Sequence, residues 1–407
     1  MHWVVRQKTS SQQLQIKNNM KLNMFPRGFF VSLLCVNLLS ACSSLSWLNP
    51  FAKEDTKNAP APLQEFAPTM AAKTAWTVNL GASGDYFFSP AVVGDFVYAA
   101  TADGTLAKLG ASTGQVIWKV KAELPLTAGV GAGSKAVAVA GQKGVLFAFD
   151  EHGKLRWKAQ ASSEILSPPA VTDSLILVHS IDNRISAFDL DNGTVKWVVE
   201  RPLPILTLRM ATGITIKDQM ALVSTPGGKL VSLALQNGGM RWEATAAEAK
   251  GATELERIVD MSGAPAVVEN TVCAASYQGR VACFDTSNGS NKWAKNISSE
   301  VGVAADVRYV FAADNAGGVF GYDLSAGATV WKNDKLTNRG LATPTSFGRA
   351  VVLGDRFGFL HFLSREDGSF LARVPTDGSK IMSAPVIVGN NLIVQTKSGA
   401  VVAVATE

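Results

Sequence analysis

The stretch Asp103–Lys119, DGTLAKLGASTGQVIWK, returns along the chain with its punctuation intact. It comes back as KGVLFAFDEHGKLRWK at 143–158, DNRISAFDLDNGTVKW at 182–197 and QGRVACFDTSNGSNKW at 278–293. In each unit a turn residue separates two apolar runs that alternate with period two, the pattern of antiparallel strands joined by a hairpin. The turn tips fall at Gly104, Gly144, Asn183, Gly228, Gly279, Gly318, Gly358 and Gly399. A second turn glycine follows at Gly114, Gly153, Gly193, Gly238, Gly289, Gly327 and Gly368. Four residues beyond it stands Trp118, Trp157, Trp197, Trp242, Trp293 or Trp331, with Ala372 in the seventh unit.

Each unit therefore reads as a four-stranded meander of about forty residues, too small to bury its own faces, so the units must stack radially. The fold class is all-β, an eight-bladed β-propeller of four-stranded antiparallel blades. The eighth unit ends at Glu407 after three strands, while Trp76, in KTAWTVNL, is a fourth strand with no unit before it. Pairing the N- and C-terminal strands closes the ring and removes exposed sheet edges. One tryptophan per blade at a fixed register reads as packing between blades rather than as a cofactor stack.

The chain holds 38 Lys+Arg against 33 Asp+Glu, a formal charge of +5. Five of the basic groups lie in residues 1–41, which carry no acid, so the remainder is neutral. Such a balance leaves no lasting basic surface for nucleic acid. Lys21 and Arg27 precede the short apolar run GFFVSLLCVNLLSAC, Gly28–Cys42, the signature of an export signal. It ends in Leu39-Ser40-Ala41-Cys42, similar to the bacterial lipobox, in which the cysteine is acylated and becomes the new N-terminus. The expected organisation is a signal peptide over 1–41, with 1–19 a spurious extension upstream of Met20 or Met24. The lipidated Cys42 and a proline-rich flexible tether follow over 42–71, and the propeller over 72–407.

The Gly-x-x-x-Trp unit resembles the quinoprotein (PQQ) repeat. Together with lipobox, length and blade count, it resembles the propeller lipoproteins of the machinery that assembles β-barrels in the bacterial outer membrane. The likeness runs from Cys42 to Glu407. It implies an outer-membrane lipoprotein facing the periplasm, because Ser43 stands where the inner-membrane retention signal has Asp. It implies the POTRA domains of BamA as partner, together with unfolded outer-membrane proteins, and no cofactor. The family's Leu-x-Leu-Arg motif falls on PILTLRM, supplying Leu206, Leu208 and Arg209. The family's closely spaced acids fall on TELERIVDMS, supplying Asp260 as a partner contact, but Ser262 takes the place of the second acid.

Spacing singles out the same region. Successive tryptophans from Trp76 to Trp331 lie 42, 39, 40, 45, 51 and 38 residues apart, so the two longest intervals are neighbours. Their extra residues fall in loops from one blade's outer strand to the next blade's inner strand, all on one face. Long loops on a rigid scaffold are where binding usually resides.

Two other classes of function remain open on sequence. A PQQ-dependent dehydrogenase-like enzyme would need a quinone pocket, a Ca²⁺ site and a catalytic carboxylate. The exported chain has no Cys-Cys pair and three histidines, His152, His179 and His361, at unrelated register. A lipid-anchored propeller for another envelope partner is the other. Cys273 and Cys283 flank the hairpin ASYQGRVA; with a three-residue loop they pair across it, with a two-residue loop they fall on opposite faces. Paired, they are either a cross-strand disulfide or two small buried apolar groups. Cys42→Ala is expected to leave a soluble or uncleaved periplasmic protein; unchanged co-fractionation with the outer membrane would overturn the lipid anchor.

Overall fold

Period-two runs become strands here, and their burial shows how they are stacked. The computed structural model describes residues 58–406; the leader, Cys42 and the chain to Lys57 lie outside the described residues. Among those described, the strands form eight sheets. The third blade is representative, with Ala170–Val171 innermost, then Leu175–His179, Arg184–Asp189 and Val195–Glu200 outermost. The second strand is buried throughout, because both its faces meet neighbouring blades; the outermost strand is largely exposed. Ala72–Asn79 pairs antiparallel with Ala400–Thr406, with Trp76 opposite Ala403, so the two chain ends complete one blade. A fifth strand not expected from the repeat, Phe87–Phe88, pairs parallel with Leu126–Ala132 on the inner edge of the second blade.

The repeat's ending has a direct physical reason. Each tryptophan donates its indole N–H to a carbonyl of the next blade: Trp76 to Ala111, Trp118 to Glu151, Trp157 to Leu190, and so on to Trp331 with Arg365, all at 2.8–2.9 Å. Each ring lies beneath the second turn glycine of that next blade. A Cβ on Gly327 would stand 2.5 Å from Trp293, and one on Gly368 2.5 Å from Trp331. These glycines also hold positive φ, +65° and +72°. Glycine is thus required twice at each joint, for backbone conformation and for room. A bulge immediately before each tryptophan, as between Leu155 and Trp157, re-aims the ring into the joint.

Ala372 breaks the pattern because its neighbour has no turn to receive an indole. The third and fourth strands of the closing blade come from opposite chain ends. Met70 packs there instead, in a cluster with Leu371, Ala372, Val374 and Val404.

Two expectations need correction. The tether was expected to run free to residue 71, yet the backbone amides of Thr69 and Met70 donate to Leu371 O, and that of Ala61 to Thr337 O. Residues 59–70 are a strap along the seventh blade, since the joint left open by Ala372 needs an apolar filling. At two turn tips the left-handed residue lies one position earlier, at Gln278 and Gly317 rather than Gly279 and Gly318. In the sixth blade the first of two consecutive glycines takes the tip, as Gly104 and Gly358 do in theirs; in both turns a side chain ties the end, Ser276 Oγ accepting from Arg280 N and Asp314 Oδ1 from Gly318 N.

Cys273 and Cys283 are paired directly across their hairpin, Cα atoms 4.1 Å apart, with their sulfurs bonded. Both are fully buried. The aspartates recurring near the second turn cap it: Asp150 Oδ1 accepts from His152 and Lys154 N–H, and Asp323 Oδ1 from Ser325 and Ala326 N–H.

Trp293→Ala removes ring burial and a hydrogen bond together, and is expected to destabilise the propeller by about 3–5 kcal/mol. Gly327→Ala is expected to be severely destabilising as well, through clash and φ. Denaturant midpoints check both; near-native midpoints for the pair would overturn the joint.

Candidate functional site: an exposed arm held from beneath

The two longest connections are those between Val195–Glu200 and Ile214–Lys217, and between Met240–Thr245 and Met261–Val268. In the first, prolines Pro202 and Pro204 stiffen an arm on which apolar side chains stand in solvent. Ile205 is 85% exposed, Leu203 48% and Leu206 41%. On the second loop Leu255 is 68% exposed. This loop forms a single turn over residues 254–257. Thr253 and Glu256 cap it reciprocally: Thr253 Oγ1 accepts from Glu256 N, and Glu256 Oε2 from Ala252 and Thr253 N.

The arm is shaped by polar groups buried beneath it. Asn183, at the hairpin tip of the third blade, donates from Nδ2 to Pro202 O at 2.7 Å. Its Oδ1 is then the acceptor for His179 Nε2–H at 3.0 Å, which leaves Nδ1 to accept from the Thr212 hydroxyl at 2.9 Å. Burial lowers the His179 pKa, in keeping with this neutral, doubly bonded ring.

Asp260 does the corresponding work on the other side. Its Oδ2 accepts from Leu208 N at 2.5 Å and its Oδ1 from Gly227 N at 3.1 Å. The residue is only 2% exposed, so it does not face a partner as the motif implied. The carboxylate is turned inward because the arm and the hairpin of the fourth blade each present an N–H that no strand satisfies. Burial raises the Asp260 pKa, and the two N–H bonds offset this in part. Protonation is thus easier in the folded chain than in the unfolded one, so Asp260 costs stability at neutral pH and the cost falls away on acidification.

Ser262 is buried as well, its hydroxyl donating to Ser299 O at 2.6 Å. Neither position carries an acid at the surface. Arg209 is exposed and pairs with Glu164 of the third blade. Leu208, half-buried, lines a cavity of about 110 Å³ with His179, Met210 and Asp260. Leu208 and Arg209 also edge a depression of about 460 Å³ shared with Glu300, Gly340 and Met382. The inner strands of the fourth and fifth blades meet closely at the base, where Gly213 N donates to Gly263 O at 3.1 Å.

Leu206, Leu208, Arg209 and Asp260 are thus brought to one place, with Leu206 and Arg209 exposed, Leu208 half-buried and Asp260 buried beneath them. Reading the motif passed over Leu203, Ile205 and Leu255. The available signal was the run of apolar residues interleaved with Pro202 and Pro204, which no strand of the repeat can absorb. Among the described residues, no cluster of His, Cys, Asp and Glu has the arrangement of a metal site.

A family model described as outer membrane protein assembly factor BamB matches residues 70–126 and 102–333. The chain belongs to the BamB family. The BamB of Burkholderia pseudomallei is 43% identical over 367 residues, 90% of this chain and 94% of the relative. The crystal structure of BamB from Moraxella catarrhalis aligns with a TM-score of 0.75 at 24% identity, over 82% of this chain and 100% of that one. The quinohemoprotein alcohol dehydrogenase of Comamonas testosteroni aligns at 0.66 with 15% identity, over 82% of this chain and 76% of the enzyme. These two structural likenesses speak for the propeller fold alone. Membership in the BamB family makes the chain an outer membrane protein assembly factor.

Asp260→Ala is expected to release the arm without unfolding the ring. Amide exchange over residues 203–210 should accelerate while the melt stays cooperative, since the other hydrogen bonds of the blades are untouched. Unchanged exchange in that segment would mean the carboxylate does not hold it.

Proposed function

We propose that the chain is a non-catalytic, lipid-anchored scaffold on the periplasmic side of the outer membrane. It docks on the POTRA domains of BamA and fixes their arrangement while unfolded outer-membrane proteins are folded and inserted. The observation that carries this reading is the arm itself. Ile205, Leu203 and Leu206 are held out in water on a proline-stiffened segment that buried Asn183 and Asp260 keep in place. A segment ordered in advance loses little entropy on binding. Leu206 and Leu208 contribute about 1.5–3 kcal/mol each where a partner groove desolvates them fully. Arg209 can exchange Glu164 for a partner carboxylate or carbonyl, a charge-assisted bond.

Support for the anchor comes from the sequence before Cys42, and support for a binding role over catalysis from the family and from this surface. Asp260 acts from beneath, by holding Leu208, rather than as a contact. Calorimetry of the mature chain with the partner's POTRA domains tests the interface. Leu208→Ala with Arg209→Ala is expected to weaken binding tenfold or more, about 1.4 kcal/mol, with the cooperative melt retained. Ile205→Ala should weaken it without any change in the melt, because that side chain touches little else. Wild-type affinity in both folded variants would move the interface elsewhere.

A further inference from the structure

The strap over residues 59–70 changes where the chain leaves the propeller. The outer strand of the closing blade starts at Ala72, opposite Thr406. Thr406 N in turn donates to Asn390 O, in the hairpin joining that blade's two innermost strands. This end of the blade is the face away from the docking arm. A chain ending its ordered path at Ala72 would leave from there.

The strap carries it back. From Met70 it runs antiparallel to Phe370–Pro375, the outer strand of the seventh blade. Met70 and Thr69 bond Leu371 O, Phe66 stacks on Phe370 with centroids 5.3 Å apart, and Gln64 O accepts from Arg373 Nη1 at 2.9 Å. Farther toward the N-terminus, Ala61 bonds the loop at Thr337, and Ala59 O accepts from Asn338 Nδ2 at 3.1 Å. That loop joins the outer strand of the sixth blade to the inner strand of the seventh. It is the same kind of connection, on the same face, as the docking arm. Gly340 of this loop edges the depression that Leu208 and Arg209 also line.

The strap's partners are set in advance. Arg339 donates from Nε to Asp355 Oδ2 at 2.7 Å and from Nη1 to Ala61 O at 3.1 Å. His361 donates from Nε2 to the same carboxylate oxygen at 3.0 Å, and its Nδ1 accepts from Arg373 Nε at 3.3 Å. Asp355 and His361 are buried completely, so both arginines are aimed at strap carbonyls by groups that cannot turn away.

We infer that the strap delivers the membrane-anchored end of the chain to the docking face, so that this face lies toward the lipid surface. The inference rests on the proposed acylation of Cys42. From Cys42 to Asn58 there are 16 residues, a span of about 55 Å at most when fully extended, against 30 residues to Ala72. The strap both shortens the leash and moves its origin to the other face.

Two measurements test this separately. In the full mature chain carrying Cys42→Ala, spin labels are placed at Asn58→Cys paired with Lys335→Cys, and at Asn58→Cys paired with Asn390→Cys. The distance to 335 is expected to be the shorter; the reverse order overturns the exit face without reference to any lipid. In the acylated chain on phosphatidylethanolamine–phosphatidylglycerol vesicles containing a lipid-borne quencher, a fluorophore at 335 is expected to be quenched more strongly than one at 390. Equal quenching, or stronger quenching at 390, overturns the orientation. A chain that does not stay on the vesicles overturns the anchor instead. Ala61→Pro with Phe66→Ser, which removes a backbone donor and the ring stack, is expected to abolish the difference at both labels while the propeller still melts cooperatively.

Discussion

The joint between an indole and a glycine turn is the contact on which the ring depends. A blade of four strands has two apolar faces and no means of covering either, so its stability comes from the neighbour. The tryptophan supplies a large apolar area and a directed N–H in one side chain, and the N–H reaches a carbonyl that only the next blade can offer. Because the donor sits on the outer strand and the acceptor beside the next blade's second turn, the joint sets both the separation and the rotation between blades. Repeated around the ring, it makes a rigid frame whose loops are free to vary.

Closure tests that frame at one place. The chain must enter and leave somewhere, and it does so inside the eighth blade, which costs that blade its second turn. The preceding blade then has nothing to receive an indole and carries Ala372. The consequence travels outward: Met70 fills the gap, and filling it orders the residues that precede it. Asp355, His361 and the two arginines extend that order along the seventh blade. A packing requirement at the ring's seam thereby decides the course of the segment that precedes the first strand, residues 59–70.

The arm before the fourth blade shows the converse arrangement, polar groups under an apolar surface. Exposed Ile205 and Leu206 could collapse onto the propeller and bury themselves, and hydrogen bonds from beneath oppose this. His179, Asn183 and Asp260 each make two such bonds, and Asn183 and Asp260 reach backbone atoms of the arm itself. An inward carboxylate without a cationic partner is costly, which is why its pKa is raised. The cost is consistent with a role in holding an apolar surface ready for a partner rather than in stabilising the ring.

Blade number, strand pairing and closure were legible in the sequence because they follow from period-two alternation and from glycine and tryptophan at fixed offsets, which are local signals. The cysteine pairing was half legible: register put Cys273 opposite Cys283 if the loop had three residues, and the folded hairpin has the three-residue loop that recurs in the other blades. Two enlarged loops on one face were legible from spacing alone. What a side chain does inside those loops was not. Asp260 looks like a surface acid in a motif, and only the approach of the arm and the fourth blade's hairpin, from far along the chain, turns it inward to two unsatisfied N–H groups. The strap was hidden for the same reason. Its three prolines and the charges just before it read as a linker, and nothing nearby in sequence reveals that Leu371 and Arg373, some three hundred residues on, leave a groove of its shape. Repeats write their geometry locally; the fate of a carboxylate or a linker is set by which distant surfaces the closed ring brings together.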